Sequence, residues 1–181
     1  MSQLFAFLRA INVGGRNVTM QELRKHFEAL GVDKVESFIA SGNVIFQSSI
    51  EDVCALEQTI ESHLQKALGY EVKTFVRTGP ELEAIGRFQP FDLSTIKSAG
   101  ALVIGFLADR MGPEAEAALM ALKTDVDDFH VHGREIYWLC KVRQSESKVS
   151  NALFEKRVKV RSTFRNVNTI ARLVAKYRLS T

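Results

Sequence analysis

The sequence of 181 residues predicts an α+β fold made of two similar halves. The first observation is the order of the elements, because strand-like and helix-like patterns follow each other as β-α-β-β-α-β and then repeat after residue 100. The second is a pair of hairpins that align at a constant offset of 91 residues, although two unrelated hairpins can share such spacing. The offset matches Phe38 with Phe129, Gly42 with Gly133, Ile45 with Ile136, and Phe46 with Tyr137.

The first half begins with a short, almost wholly apolar strand over Gln3–Ala10. A helix follows, which Thr19 and Glu22 start as a capping box and Gly31 ends. A tight turn over 41–43 joins the strands of the first hairpin. The remaining predicted elements of this half are hairpin strands over 35–40 and 44–47, a helix over 53–68 and a strand over 71–77.

The second half repeats this order after a short helix from Thr78 to Gly86 and a connecting loop over 88–99. Its predicted elements occupy 101–107, 113–122, 127–132, 135–140, 147–157 and 158–164, and a last helix starts at Asn166. The βαββαβ order is that of a ferredoxin-like unit. The sequence thus predicts two ferredoxin-like units in tandem by internal duplication. Residues 1–78 and 100–181 form the halves, 79–99 the connection, and a basic C-terminal helix is added.

The composition, with 46% hydrophobic and 25% charged residues, is ordinary for a soluble globular protein. No apolar run approaches the roughly 20 residues of a membrane span, and no basic segment precedes an apolar stretch at the N-terminus. Cys54 and Cys140 lie within apolar patterns and outside any CxxC motif, which favours reduced core residues. The expectation is a cytoplasmic protein without a membrane partner, metal or cofactor.

The net charge of +3 hides a strong asymmetry along the chain. Residues 1–140 contain 13 Lys and Arg against 19 Asp and Glu, whereas residues 141–181 contain 11 against two. A basic segment of this kind is typical of a surface that meets phosphate groups or an acidic protein. The alternative is that the basic segment packs against the acidic part of the same chain.

The loop after the first strand has the layout of a backbone anion site. Gly14, Gly15 and Arg16 lie between an apolar strand and a capped helix, so amide N–H groups and a helix N-terminus can point into one gap. The loop lacks the Gly-Lys-Ser/Thr ending of a Walker A motif and the spacing of Gly-x-Gly-x-x-Gly. The sequence therefore indicates where an anion would bind, and it identifies no reaction.

Four loops share this polar composition, and three of them lie at or just before a helix start. Unsatisfied N–H groups and a nearby Arg or Lys would bind phosphate or carboxylate there. The simpler interpretation is that Asn, Ser and Thr only cap helices and that Gly42 only forms its turn. The predicted anion-binding residues are Arg9, Asn12, Gly14, Gly15, Arg16, Asn17, Ser41, Asn43, Lys148, Arg165, Asn166 and Asn168.

The second hairpin allows two interpretations, a metal site and a polar sheet face. His130 and His132 share one strand face, across from Tyr137 and Glu135. Two imidazoles and one carboxylate are zinc ligands by type, although strand positions converge poorly on one ion. The simpler interpretation is a polar sheet face that meets solvent.

Other side chains lead to weaker functional patterns. Tyr137 and Phe46 could stack on bases as aromatic residues do in RRM domains, but the RNP sequence is absent and Phe46 can pack in the core instead. The acidic cluster at 125–128 is predicted to be a solvated loop. His26 and His63 lie alone on helices and are predicted at the surface. No nucleophile is paired with a base in the sequence.

Three stretches carry a resemblance to a known family. They are Leu8–Gly15, Ser41–Val44, and Ser147–Asn151 with Thr163–Thr169. With these motifs the chain resembles an uncharacterised bacterial family, domain of unknown function 1697, over almost its entire length. The resemblance implies a fold of two ferredoxin-type halves and supplies no reaction.

The chain departs from the family pattern at two positions. Where the pattern has Gly in Arg-Gly-Ile-Asn-Val-Gly-Gly, this chain has Ala10, which argues against a required positive φ at that residue. Where the pattern has Trp in Arg-Asn-Trp-Asn-Thr, this chain has Val167. The start of the last helix therefore lacks an aromatic ring that could stack on a ligand.

These observations lead to three functional hypotheses. The favoured one is a binding module for a phosphate-bearing ligand, a nucleotide or nucleic acid, that uses the Gly14–Gly15 loop and residues 141–181. The second is a small enzyme that clamps a phosphorylated or carboxylated metabolite with Arg9, Arg16 and Arg165. The third is a protein-interaction module, such as a homodimer formed through an exposed sheet face or edge.

Overall fold

A computed structural model describes residues 1–12, 14–39 and 42–177. The strands are β1 Ser2–Leu8, β2 Asp33–Ser37, β3 Asn43–Ser48, β4 Thr74–Thr78, β5 Ala101–Phe106, β6 Asp127–His132, β7 Glu135–Cys140 and β8 Thr163–Asn166. The helices are α1 Met20–Glu28, α2 Val53–Leu68, α3 Gly79–Arg87, α4 Leu93–Ser98, α5 Pro113–Met120, α6 Asn151–Val158 and α7 Val167–Tyr177. The predicted α+β class is confirmed. Across the described ranges, no helix has both the length and the apolar character needed to cross a membrane.

The strands form two antiparallel sheets of four, in the orders β2-β3-β1-β4 and β6-β7-β5-β8. Each sheet therefore has the same succession of strands. The described chain divides into two compact units, unit 1 over Met1–Glu83 and unit 2 over Ala84–Tyr177. The division lies within α3, inside the segment 79–99 that was predicted as the connection.

The core of unit 1 lies between its sheet and the apolar faces of α1 and α2. Leu23 and Phe27 recur at helical spacing on α1 and are fully buried, and the Phe27 ring packs 5.4 Å from that of Phe46 on β3. The opposite face of this sheet is also buried, at Phe5 and Phe75 among others. Side chains on both faces of the central strands are therefore buried.

The outer edge of β4 is closed by two carboxylates of α2. The Glu57 carboxylate accepts a hydrogen bond from the Val76 N–H at 2.7 Å, and that of Glu61 accepts one from the Thr74 N–H at 3.0 Å. Unpaired strand N–H groups otherwise invite another strand to pair with them. Pairing of a second chain along β4 would have to displace both carboxylates.

The core of unit 2 is aromatic. On one sheet face Trp138 packs against Phe129 and Phe164, and Phe164 packs edge-on against Phe154 of α6. The other face is covered as well, because the Tyr137 hydroxyl donates a hydrogen bond to the Ile85 carbonyl of α3 at 3.3 Å. Burial and the neighbouring Glu135 charge raise the pKa of Tyr137, so the phenol stays protonated and remains a donor.

Several element boundaries differ from the prediction, and two of the differences concern whole segments. The strand expected over 158–164 is β8 and starts at Thr163, because α6 continues to Val158 and Lys159 ends it in the left-handed region at φ 57°. The loop expected over 88–99 contains the six-residue helix α4. Both differences concern short segments whose apolar residues do not distinguish strand, loop and helix by period.

The 91-residue alignment of the two hairpins has the wrong register. Phe46 faces the helices of unit 1, whereas Tyr137 lies on the sheet face opposite the helix-side residues Ile136 and Trp138. Side chains alternate between faces, so a shift of one residue exchanges them. The cause is the loop length, because five residues join β2 to β3 and only Gly133 and Arg134 join β6 to β7.

The cysteines are both free, but only one occupies the core. Cys140 is buried, whereas Cys54 is exposed on the first turn of α2. The prediction that Cys54 is a core residue is therefore wrong. An apolar neighbourhood in sequence does not determine which side of a helix faces the sheet.

Candidate anion-binding site

The loop after β1 follows an unusual backbone course. Ala10, Asn12, Gly14 and Gly15 have φ values of 59°, 56°, 62° and 81°, all in the left-handed region. Glycine reaches this region freely, whereas a side chain there crowds the backbone. The expectation that no positive φ would be required at Ala10 is therefore wrong. The glycine of the family pattern has its physical reason in this turn, and Ala10 occupies the same turn with strain.

Replacing Ala10 with glycine is expected to raise the free energy of unfolding by about 1 kcal/mol, since relief of the left-handed strain exceeds the entropy that glycine adds to the unfolded chain. Urea denaturation measures the change. Ala121, which has a φ of −69°, is the matched control, and its replacement with glycine should lower stability instead. Equal losses for the two variants would contradict the assigned backbone at Ala10.

The side chain of Asn12 closes the loop. Its carbonyl oxygen accepts a hydrogen bond from the Val18 N–H at 2.6 Å, and its amide donates one to the Val18 carbonyl at 3.0 Å. This reciprocal pair joins the two ends of the segment 12–18, much as paired strand residues bond to each other. Asn12 therefore shapes the loop, and both ends of its amide group have an internal partner.

The tip of the loop, Gly14 to Asn17, is exposed. A Cβ added to Gly14 or Gly15 would meet no atom within 4 Å. The backbone N–H groups of Gly14, Gly15 and Asn17 have no hydrogen-bond acceptor among residues 1–12, 14–39 and 42–177. An incoming anion requires N–H groups that are not already bonded and space beside them.

Arg16 lies over the ring of Tyr70, which follows the end of α2. Its guanidinium carbon is 4.3 Å from the ring centroid, within the range of a cation–π interaction. The Tyr70 hydroxyl is buried and has no hydrogen-bond partner in the described part of the chain. The contact restricts the long Arg16 side chain and leaves its N–H groups able to form a charge-assisted hydrogen bond.

The N-terminus of α1 is already occupied by the protein's own groups. Thr19 accepts a hydrogen bond from the Glu22 N–H, and the Glu22 carboxylate accepts bonds from the Thr19 N–H and hydroxyl. The predicted capping box is thus confirmed. These bonds, the backbone one first, hold the pKa of Glu22 below its ordinary value. A ligand anion would therefore meet the loop tip rather than the helix axis.

The second motif comes to the same end of the sheet. Ser41 lies outside the described residues, but Gly42 is packed against the first loop, and its carbonyl accepts the Leu8 N–H at 2.8 Å. A Cβ at Gly42, whose φ is 72°, would be 2.5 Å from Cγ2 of Ile11. Two separate motifs of the sequence therefore meet in unit 1.

Two more predicted residues of this region have structural contacts. Asn43 is 1% exposed, and its amide donates to the Phe38 carbonyl at 3.0 Å. The backbone N–H of Arg9 donates to the Lys73 carbonyl at 2.8 Å, and its side chain is half-buried. Lys73 itself pairs with Glu61 at 2.6 Å. Asn43 holds the hairpin loop, and the groups left facing outward are those of 14–17.

The third motif is anchored by a buried carboxylate of unit 2. The Ser147 hydroxyl donates to Asp127 at 2.8 Å, and Trp138 Nε1 donates to the same carboxylate at 2.8 Å. Asp127 is 1% exposed, so the prediction of a solvated acidic loop is wrong at this residue. Ser150 caps α6 by accepting from the Leu153 N–H, and Lys148 is exposed between these two serines.

The fourth motif surrounds the end of β8. Arg165 is 9% exposed and donates from Nη1 to the Thr163 hydroxyl at 2.7 Å and to the Phe164 carbonyl at 2.9 Å. Burial lowers the pKa of Arg165 to about 10, which still leaves it a cation at neutral pH. Asn166 is exposed, and its carbonyl oxygen accepts the N–H of Asn168, also exposed. This bond is a capping turn at the start of α7.

The predicted polar face of the second hairpin is only partly exposed to solvent, because His132 is exposed whereas Glu135 and Tyr137 are buried. Glu135 is 7% and Tyr137 1% exposed, and Phe88 stacks on His132 with ring centroids 4.0 Å apart. Phe88 also packs against His130 at 5.5 Å. Within the described ranges no group of three or more His, Cys, Asp or Glu residues is arranged to hold a metal ion. The predicted solvent exposure is therefore wrong for Glu135 and Tyr137, whereas His132 is exposed as predicted.

Base stacking on Phe46 and Tyr137 is ruled out by burial, since the two side chains are 0% and 1% exposed. The isolated histidines are not isolated either. The rings of His26 on α1 and His63 on α2 meet edge to face at 5.6 Å, and His63 Nε2 is buried without a partner in the described chain. The prediction that the two histidines lie alone on their helices is therefore wrong.

The sequence interpretation missed Tyr70 and misjudged Asp127. Tyr70 follows Gly69, which ends α2 as a left-handed cap, so the sequence alone indicates that Tyr70 lies beside a helix end. That it lies under Arg16 depends on packing between residues 54 positions apart. Asp127 lies next to other acidic residues, and only the distant donors Trp138 and Ser147 reveal its role.

Comparison with known proteins gives a family and a related fold. A family model, "Protein of unknown function (DUF1697)", matches residues 1–137, which include the first two motifs and end before the third. Among solved structures the chain is similar to the conserved bacterial protein SP0830 from Streptococcus pneumoniae. The identity is 23% and the TM-score 0.75, over 98% of this chain and 99% of that one, which shows a shared fold. No curated protein matches the sequence.

Proposed function

The chain belongs to the DUF1697 family, and from the geometry of its own loops we propose that it is a binding module for a phosphate-bearing ligand, a nucleotide or nucleic acid. The observation that carries the proposal is the tip of the β1–α1 loop. There Gly14, Gly15 and Asn17 present exposed N–H groups beside the Arg16 guanidinium, and Asn12 and Tyr70 hold the loop and the arginine in place. Backbone donors and one guanidinium form a suitable set for a phosphate group.

The strain in the surrounding backbone supports a functional site. Three residues other than glycine in the two converging loops have positive φ, namely Ala10, Asn12 and Ile39. Ile39 is β-branched and 44% exposed, so neither its conformation nor its exposure stabilises the fold. Backbone strain of this kind persists where the surrounding structure maintains it, often at ligand sites.

The proposal is tested with inorganic pyrophosphate, by isothermal titration of the native protein and of Arg16→Ala. We expect the substitution to weaken binding about tenfold, the usual value of one charge-assisted hydrogen bond. Arg16→Lys should recover only part of the affinity, because lysine keeps the charge but forms no planar stack on Tyr70. Arg110→Ala is the matched control, since Arg110 is an exposed arginine of unit 2. Equal affinities of Arg16→Ala and Arg110→Ala, or no binding to the native protein, would overturn the proposal.

We also propose that each unit is a ferredoxin-like module and that the two arose by duplication. The same strand order in both sheets supports this. So does a shared pairing, in which Phe5 lies opposite Arg77 in one sheet and Ile104 opposite Arg165 in the other. Both arginines are buried, and each donates to the carbonyl of the preceding residue. In this alignment α7 corresponds to α3 and is part of the repeat rather than an addition.

A further inference from the structure

A basic surface of unit 2 has no part in the loop site described above. Every Lys and Arg from Lys141 to Lys176 is exposed except Arg165. The highest local density is at the end of α6, where Lys156, Arg157 and Lys159 are all exposed within four positions. We call these three residues the α6 ridge. Three exposed cations in one helical turn create a positive potential that attracts polyanions.

The α6 ridge borders a groove between α5 and α6. The groove has a volume of about 580 Å³, and Arg157 and Lys159 line it together with Val158. Its other wall comprises residues 112–115 and Ala118 of α5. A cleft of this size with aliphatic walls and cations at its rim can accommodate a sugar and its phosphate.

The uncapped start of α5 and the charge of Lys159 favour a negatively charged occupant of the groove. Gly112 precedes α5 and provides no side-chain cap, so the first N–H groups of this helix have no side-chain acceptor from the cap position. Lys159 ends α6 in the left-handed region at φ 57°, a position that usually carries glycine. The chain therefore has a lysine where glycine would be less strained, and that lysine adds a cation to the rim. Glu114 is the opposing charge in the groove.

From these observations we propose that the α6 ridge and its groove bind the sugar–phosphate backbone of a nucleic acid strand. The inference goes beyond the pyrophosphate site of unit 1, because it uses different residues and a different unit. A nucleic acid is favoured over a single small anion because the three exposed cations do not all line the groove: Arg157 and Lys159 do, whereas Lys156 lies outside it. The groove contains no aromatic side chain, so binding reads the backbone and shows little sequence preference.

The test is fluorescence anisotropy with a labelled single-stranded DNA of mixed sequence, measured at several salt concentrations. If the protein contacts three phosphates, the logarithm of the binding constant should fall with the logarithm of the salt concentration with a slope of about −2. The double variant Lys156→Ala with Arg157→Ala should reduce that slope by more than half and weaken binding at low salt. Lys25→Ala with Lys66→Ala, two exposed lysines of unit 1, is the charge-matched control and should change neither quantity by a comparable amount.

Two further variants separate binding from folding. Lys159→Gly removes a charge and relieves the strain of a left-handed residue. It should therefore weaken DNA binding while it raises the midpoint of thermal unfolding.

Glu114→Gln should strengthen DNA binding, because it removes the opposing charge in the groove. Arg16→Ala should weaken pyrophosphate binding and reduce the salt slope of DNA binding by less than the ridge double variant does, which distinguishes the two sites. Absence of DNA binding at low salt, equal losses in the control, or equally tight binding of polyglutamate at matched charge would each overturn the proposal.

Discussion

Replacing Asp127 with alanine is expected to lower the free energy of unfolding by about 3–5 kcal/mol, because it removes the carboxylate that accepts the hydrogen bonds of a buried network. Three side chains donate to Asp127 at 2.8 Å: Trp138 Nε1, the Ser147 hydroxyl and the Thr124 hydroxyl. Trp138 is 1% exposed, so its N–H has no solvent to bond with after the substitution. Urea denaturation followed by tryptophan fluorescence measures the loss.

Asp125→Ala is the matched control for that prediction, since Asp125 lies two residues away and is exposed. Its replacement should change stability by less than about 0.5 kcal/mol. Asp127→Asn should give an intermediate loss, because an amide keeps one acceptor oxygen and loses the charge. A loss below about 1 kcal/mol for Asp127→Ala would show that the network does not stabilise unit 2 as assigned. The third sequence motif would then have no structural anchor at Ser147.

Replacing Gly42 with alanine is the second large effect, with an expected loss of about 2–4 kcal/mol. Part of it is the left-handed backbone at φ 72°, and part is overlap with Ile11, whose Cγ2 would be 2.5 Å from the new Cβ. Gly14→Ala is the control that separates the two terms, because Gly14 has a φ of 62° and no atom within 4 Å of its added Cβ. It should lose only about 1–2 kcal/mol.

The combination of Gly42→Ala with Ile11→Ala tests the contact itself. Alanine lacks the Cγ2 atom that the new Cβ would meet, so the double variant should lose less than the sum of the two single losses. Strict additivity would mean that the two loops are not in contact as described. In that case the convergence of the first two motifs in unit 1 would be lost, and the loop-tip site would depend on the first motif alone.

Both predictions bear on function, because both concern motif residues that hold loops in place rather than face a ligand. The motif residues that looked suited to bind an anion divide into those that hold loops and those that face outward. Asn12, Asn43 and Arg165 have internal partners, whereas Gly14, Gly15 and Lys148 are exposed. Ligand contacts are therefore expected from the second group, and substitutions in the first group should act on stability.

Local chemistry was enough to determine much of the fold from the sequence. The capping box of Thr19 and Glu22, the apolar period of α1 and the two-residue turn at Gly133 and Arg134 are interactions between residues a few positions apart. Such interactions are almost the same in any tertiary context. The α+β class and the two antiparallel sheets followed from them, and so did the position of the exposed glycine loop.

Only the tertiary structure decided the features that depend on distant partners. The burial of Asp127, the exposure of Cys54 and the place of Tyr70 under Arg16 are set by which surfaces pack together. The predicted register between the two hairpins was wrong for a related reason, because a change in loop length exchanges the two faces of a strand. Short-range patterns determine which elements form, but the environment of a side chain depends on contacts between segments that are far apart in the chain.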